Sequence, residues 1–558
     1  MSIPTLDIKV QSTQTIYPSI PLTKPTTTPL SILDNNSANF ARCAAIWYYP
    51  PPPSQSSSFT PSQFTTALSH TLNSYRPWCG CLSYTPASKI TAYGPQNIRY
   101  QRIHVTYNTP NDLGIPFTIA SSPHGLNAFL PSLSTRSTTQ KAWNGSQLPS
   151  STLLPSTKLS ITTDPNAPNL VIQLTTFSCG SITIGISITH CLADAISLSK
   201  FANDWAFISR SLLANPNSPP PKLNPAPIFD PRKLDSHSAG SINSIPDPEI
   251  QEAARALPCH RYDWYTPVPS QPWPSPRPAD FDATLKGLEF EISPSIPIPW
   301  EQWDTKARVS HRLLHFSKEE ILRIYENATV TATAEGRREG EKEKVSKHDA
   351  LLAHHWSLII SARKLPANTT SYLDLTVGLR ARVDPPLPDV FLGSPVCHVA
   401  IPSTSSVSKE VEEKEHGKGE REGVDVLARR IRNYLGKFGK EEISWILHDR
   451  ASEIAPQRLW GACLGREHVL LTTWVRAGVY DVRFWDGDGG KGRPLWVEAV
   501  MPPLDGLVEI MEGPPSTNKT VNTGSWIEDG VDVTIFLEAE AMTRLLADGR
   551  LWGGKQSD

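Results

Sequence analysis

Within the 558-residue chain, the run His190-Cys191-Leu192-Ala193-Asp194 places an imidazole four residues ahead of a carboxylate. A neutral imidazole titrates close to physiological pH and can take a proton from an attacking hydroxyl or amine. The residues before it alternate, with Ile182, Ile184, Ile186 and Ile188 on one side and Thr183, Gly185, Ser187 and Thr189 on the other. That period predicts a strand. After Asp194 the period changes, and Leu198, Phe201, Trp205, Ile208 and Leu212 fall at helical spacing. The pair therefore sits at a strand-to-helix corner, where two regular elements fix its position. The same local pattern also suits a core histidine followed by an aspartate N-cap. The rest of the chain has to decide between them.

Other reactive clusters lack partners. His348, His354 and His355 fall on one predicted helix, but only His348 and His355 share a face, and no Cys or acidic group completes a zinc set. No metal is expected. Gly487, Gly489, Gly490 and Gly492 make a glycine-rich loop without the lysine-serine of a phosphate-binding loop. The 8 cysteines follow no framework spacing, which predicts free thiols in a reducing compartment. A net charge of -2 gives no basic excess for nucleic acid. No apolar run reaches membrane-span length and no signal-peptide pattern opens the chain, so a cytoplasmic protein is expected.

The elements around the corner read as α/β. Phe64, Leu68 and Leu72 stripe a helix over Pro61–Tyr75. Prolines, 52 in all, crowd the connections. Residues 226–303 read as a Pro-rich crossover with a short helix at Glu249–Leu257, separating a domain at 1–225 from one at 304–558. The second half opens with a strand at Ala307–Phe316, and Ser317 with Glu320 forms a capping box for the next helix. Ser346 and Asp349 form another, for a helix over Ala350–Arg363. Strands are predicted at Tyr372–Leu379, His468–Trp474 and Val531–Leu537, and a last helix at Ala539–Ala547. The charge-rich stretches 335–344 and 408–422 read as solvated insertions.

Seven ordered blocks carry a family resemblance: PLSILD at residue 29, YRPWCGCL at 75, the run ending SITHCLAD at 194, VSKHDALLAHHW at 345, VGLRARVDPPLPDVFLGSP at 377, LTTWVRAGVYD at 471, and PPLDGLVEIM with the closing GVDVTIFLEAEAMTRLLAD. Together they resemble the BAHD-type acyltransferases and their fungal, trichothecene acetyltransferase-like relatives. The resemblance implies two chloramphenicol-acetyltransferase-like domains, each a mixed sheet flanked by helices, with the active-site channel between them. It implies transfer of an acyl group, most simply acetyl, from acyl-CoA as co-substrate to a hydroxyl of a small secondary metabolite. No permanently bound cofactor is implied, and a monomer is expected. Transfer to an amine is the near alternative, since the same base serves it. A weakened relative acting as a binding protein is another. A peptide-synthetase condensation domain fits less well, because Thr189 stands where that group carries a second histidine.

By the same resemblance His190 is the general base, and Asp194 orients it through Arg380, with Arg382 the less favoured partner. Ser346, Thr473 and Trp474 line the substrate and coenzyme channel. The chain departs from the pattern at three places. Ala195 follows the motif aspartate where glycine is usual, Ser394 replaces a turn asparagine, and the DFGWG signature is degraded. Its aspartate position falls on Arg483, Asp486 or Asp488 according to where an insertion is placed.

Overall fold

The computed structural model describes residues 7–21, 24–52, 60–157, 166–288, 290–330, 345–366, 368–404, 422–486, 492–515 and 524–554. The stretch 335–344 and all of 408–422 except Glu422 lie outside them, as does Asp488.

Thirteen strands build two large mixed sheets. In chain order they are β1 (Lys9–Ile16), β2 (Cys43–Tyr49), β3 (Ile115–Ser122), β4 (Ala142–Asn144), β5 (Leu170–Phe177), β6 (Ile182–Ile188), β7 (Val309–Phe316), β8 (Thr370–Gly378), β9 (Val396–Thr404), β10 (His468–Thr473), β11 (Trp496–Ala499), β12 (Leu507–Glu512) and β13 (Val531–Glu538). The six-stranded sheet runs β1-β3-β5-β6-β2-β11 and the seven-stranded sheet β9-β8-β10-β12-β13-β7-β4. Each sheet takes one strand from the other half of the chain. β11 pairs antiparallel with β2, Trp496 opposite Tyr48, and β4 pairs antiparallel with β7, Trp143 opposite Leu313.

Strand β6 is buried on both faces. Its isoleucines share a core with Leu198, Phe201, Trp205 and Ile208 of the helix Ala195–Ala214. Its small face is covered too, because the carbonyl of Leu153 comes so close to Gly185 that a Cβ there would lie 2.3 Å from the oxygen. A threonine-glycine-serine face is what such an approach requires. In the second half, Leu351, Trp356 and Ile359 of the helix Lys347–Arg363 join a core with Leu373, Val469, Val508 and Val533 from the sheet.

The predicted elements form with shifted ends. The first striped helix stops at Thr71 and tightens into a 3₁₀ turn at Leu72–Ser74. The helix after Ser317 runs Lys318–Val330, and both capping boxes close, Ser317 Oγ accepting from the Glu320 N–H at 3.3 Å and Ser346 Oγ from the Asp349 N–H at 3.1 Å. The crossover contains the helices Pro248–Arg255 and Phe281–Leu288, and a three-stranded sheet of Tyr262–Asp263, Ile296–Pro297 and Leu459–Trp460 ties it to the second half. Among the described residues no helix is long and apolar enough to cross a membrane. All eight cysteines are free.

Candidate active site

The corner after β6 is closed by backbone bonds from Leu192 N–H to the Thr189 carbonyl, 3.1 Å, and from Ala193 N–H to the His190 carbonyl, 3.3 Å. Asp194 then caps the long helix, accepting from Ser197 N–H at 2.9 Å. This capping satisfies one of the free amides at a helix start. The same carboxylate also pairs with Arg380. Arg380 Nη1 lies 2.5 Å from Asp194 Oδ2 and Nη2 lies 3.0 Å from Oδ1, a two-pronged bond. The guanidinium spends its other donors on Ser197 Oγ and the Phe391 carbonyl. Arg382 points elsewhere, donating to the carbonyls of Leu435 and Phe438.

The turn Gly393–Ser394 of the second half locks onto this corner. The Gly393 carbonyl accepts from Asp194 N–H and from Ser197 Oγ, both at 3.0 Å. Gly393 has φ 130°, and a Cβ there would lie 3.2 Å from Asp34 Oδ1, so the position needs glycine. Ser394 Oγ lies 2.9 Å from His190 Nδ1, and Ser394 N–H donates to Asp34 Oδ1 at 2.7 Å. Asp34 is the aspartate of the PLSILD block. Burial pushes its carboxyl up to about 6.

His190 is held between the halves of the chain. Phe40 packs edge-on against its ring, centroids 5.4 Å apart. Burial lowers its pKa, opposed by the Asp194 charge, so the ring stays neutral at neutral pH. Among the described residues no protein group bonds its Nε2. The ring lines a cavity of about 390 Å³ that Thr472, Thr473, Trp474 and His398 also line. His398 is half-buried, and desolvation pushes it down to about 4. Arg42 reaches the same cavity, but its guanidinium is turned into Ser187 and the carbonyls of Pro168 and Asn169.

A profile of the Transferase family matches residues 6–256 and 293–550. The chain belongs to that family, the BAHD-type acyltransferases. It is 27% identical to acyltransferase AFT15-1 of Alternaria alternata, over 98% of this chain and 97% of that one. It is 23% identical to acyltransferase abl6 of Leptosphaeria maculans, over 98% of each. Among solved structures, TRI101 of F. graminearum complexed with ethyl coenzyme A superposes with a TM-score of 0.63 at 15% identity, covering 95% of this chain and 98% of that one. Vinorine synthase superposes with a TM-score of 0.55 at 19% identity, covering 97% and 98%. The two-domain α/β architecture is theirs. The chain is accordingly an acyl-CoA-dependent acyltransferase, with the coenzyme as co-substrate.

The remaining sequence-predicted positions divide. Thr473 and Trp474 lie on the cavity wall beside His190. Ser346 caps the helix Lys347–Arg363, and Arg432 donates to its Oγ at 2.9 Å. The next residue but one, His348, lies 3.4 Å from Thr473 Oγ1 and is lowered by burial, with Arg432 and Arg476 adding to the shift. Arg483 and Asp486 are exposed and away from the cavity. Arg210 donates to the Arg483 carbonyl and lies 3.6 Å from Asp486 Oδ1. Between those two, Phe484 and Trp485 turn inward, Phe484 meeting Trp205 edge-on at 4.8 Å. That segment fastens the long helix rather than touching His190.

Sequence reading missed three groups. Phe40 and Asp34 come from the N-terminal half and meet the site only through the fold. Ser394 was visible as a departure, not as the partner of His190. A third group is the trio His260, Asp374 and His468, whose ligand-type atoms all lie within 4.8 Å of one another. Asp374 Oδ2 accepts from His468 Nδ1 at 2.8 Å and from Cys463 N–H at 2.9 Å, while His260 Nε2 lies 3.1 Å from Oδ1. Burial would raise the Asp374 carboxyl, but the two histidines beside it hold it down to about 2. The trio binds the crossover to β8 and β10.

Proposed function

We propose that His190 is the general base in transfer of an acyl group, acetyl in the simplest case, from coenzyme A to a hydroxyl of a small-molecule acceptor. The observation that carries this reading is a neutral, half-buried imidazole whose Nδ1 is tied to Ser394 across the two halves while Nε2 is bonded to no described protein group. The hydroxyl gives its proton to Nε2 as its oxygen bonds to the thioester carbon. The tetrahedral intermediate carries an oxyanion. Thr473 and Trp474, which line the same cavity, are the side chains proposed to support it. Collapse breaks the C–S bond, and the imidazolium returns its proton to the departing thiolate. Asp194 acts through position, because its charge is spent on Arg380.

Measured release of free coenzyme A in the presence of an acceptor tests the role of His190. Replacement of His190 by alanine is expected to slow transfer about 10²–10⁴-fold. A loss smaller than tenfold would show that another group removes the proton. Matched alcohols and amines on the same carbon skeleton test the acceptor chemistry, and faster turnover of the amines overturns the hydroxyl assignment.

A further inference from the structure

Besides Trp474, four tryptophans, Trp264, Trp273, Trp303 and Trp460, line the cavity that holds His190. They form one continuous aromatic wall. Trp264 lies 5.3 Å from Trp460, Trp273 lies 5.3 Å from Trp303, and Trp300 stands behind, 5.3 Å from Trp264 and 5.8 Å from Trp303. Leu464, Leu470, Leu504 and Leu507 complete the apolar surface. Trp273, at 40% exposure, stands where this wall reaches solvent.

The wall lacks charge. Among the described residues the acidic side chain lining the cavity is Asp194, and Arg380 neutralises it. Tryptophan faces attract cations, but no unpaired carboxylate among the described residues lines the cavity to supply the counter-charge that a primary ammonium or guanidinium needs once desolvated, so an uncharged acceptor suits the wall better. None of the four indole N–H groups donates to a protein acceptor among the described residues, so they remain available to oxygen atoms of a ligand.

Position separates this wall from the coenzyme end. Leu470 near the start of β10 packs with the tryptophans, whereas Thr473 at its end meets His348, which Arg432 and Arg476 flank. At about 3.3 Å per residue those ends are about 10 Å apart. Arg432 is paired with Asp349, so Arg476 is the cation at that end that suits a diphosphate, and the tryptophan wall offers none.

We infer that the tryptophan wall is the acceptor subsite and that it takes an uncharged, ring-bearing, largely apolar alcohol carrying a few oxygen acceptors. This rests on the acyl-transfer reading above, but binding tests it apart from turnover. The purified protein is titrated with 2-naphthalenemethanol, agmatine and shikimate, read by tryptophan fluorescence and calorimetry. The expected result is quenching and saturable binding by the naphthyl alcohol, at least tenfold tighter than agmatine or shikimate. Trp460→Ala and Trp264→Ala are expected to weaken that binding about tenfold, with Trp460→Phe restoring most of it. An unchanged thermal midpoint and unchanged coenzyme A affinity show that the variants fold. Agmatine or shikimate binding as tightly as the naphthyl alcohol overturns the inference. So does naphthyl binding that the alanine variants leave untouched. Alanine variants that weaken benzoyl-CoA relative to acetyl-CoA without affecting the alcohol would assign the wall to the acyl group instead. His190→Ala is expected to keep naphthyl binding while losing turnover, so failure of the base assignment and failure of the subsite read differently.

Discussion

Ser394 Oγ lies 2.9 Å from Nδ1 of His190, a contact made across the two halves of the chain from a turn that Asp34 anchors. For Nε2 to accept a proton, Nδ1 must carry one, and Ser394 Oγ is placed to accept from it. The bond is compatible with the useful tautomer, since a hydroxyl can accept from Nδ1–H, and it holds the ring plane. Ser394→Ala is expected to lower kcat about tenfold with little change in acceptor KM, since tautomer and orientation matter to the chemical step. Ser394→Asn, which brings in the residue usual in the resembling family, is expected to recover most of the loss. A KM effect without a kcat effect would make Ser394 a packing residue.

The neutral state of His190 has a direct pH consequence. Burial lowers its pKa, so protonation that would disable the proposed base occurs below the ordinary histidine value of about 6.5. The profile of kcat/KM is expected to be flat from neutral pH upward to about pH 8 and to fall through one acidic limb with a midpoint below 6.5. A limb centred above 6.5 would mean that the Asp194 charge outweighs desolvation at this site.

Asp194 and Arg380 are both almost fully buried, 6% and 4% exposed. Removing one partner leaves a buried charge alone, which costs about 3–5 kcal/mol. Arg380→Met is therefore expected to lower the unfolding free energy by that amount and to cut turnover, because the Gly393 turn that carries Ser394 shares the same bonds. The double variant Asp194→Asn, Arg380→Met is expected to regain stability without regaining activity. If the double variant is as unstable as the single one, the pair is not the unit that matters.

How much of this was legible in the chain depended on the range of the signal. The strand-corner-helix around His190 was readable because period and capping are local, and so were the boxes at Ser317 and Ser346. The face of β6 opposite its isoleucines gave no sign of Leu153 packing on Gly185, since its threonine-glycine-serine alternation reads as a solvent-facing side although it is buried. Phe40 and the tryptophan wall could not be seen as a site. Trp264 and Trp460 are 5.3 Å apart in space but distant in sequence, and only the small crossover sheet brings them together. The exchange of β4 and β11 between sheets was equally silent, because each is a short strand whose partner is set by the other half. The degraded DFGWG region was visible as a departure, yet its role in fastening the long helix through Arg210 needed the fold.

Cys191 directly follows the proposed base, so a covalent acyl-cysteine route can be tested. Its thiol is buried, lies 3.8 Å from Thr189 Oγ1, and is pushed up to about 12 by desolvation. A thiol so far from its thiolate is a poor nucleophile at neutral pH. Cys191→Ala is expected to keep turnover within about threefold, and acyl-CoA without acceptor is expected to give no burst of coenzyme A release. A stoichiometric burst that the alanine variant abolishes would place the acyl group on Cys191.

Glu509 predicts how stability follows pH. It sits in β12 opposite Thr534, whose hydroxyl donates to Oε2 at 3.2 Å, and burial pushes its carboxyl up to about 8. Glu498 in β11 is pushed up to about 7 for the same reason. In the unfolded chain both ionise near the ordinary glutamate value of about 4.3. The folded state therefore holds protons that the unfolded state has released. The stability these groups contribute is complete in acid and is lost as pH rises toward 8. The desolvated histidines pull the other way only below about 6.5, where His398 and His354, both pushed down to about 4, resist protonation that the unfolded chain accepts. Between pH 6.5 and 8 the carboxyls act unopposed by these histidines. The unfolding free energy is expected to decline across that interval, by about 1.4 kcal/mol per pH unit for each proton withheld. Glu509→Gln keeps the shape and removes one such proton, so its denaturation midpoint is expected to fall less steeply with pH than that of the unmodified chain. Parallel pH dependences would show that Glu509 is ionised in the folded protein and that Thr534 and its surroundings stabilise the charge.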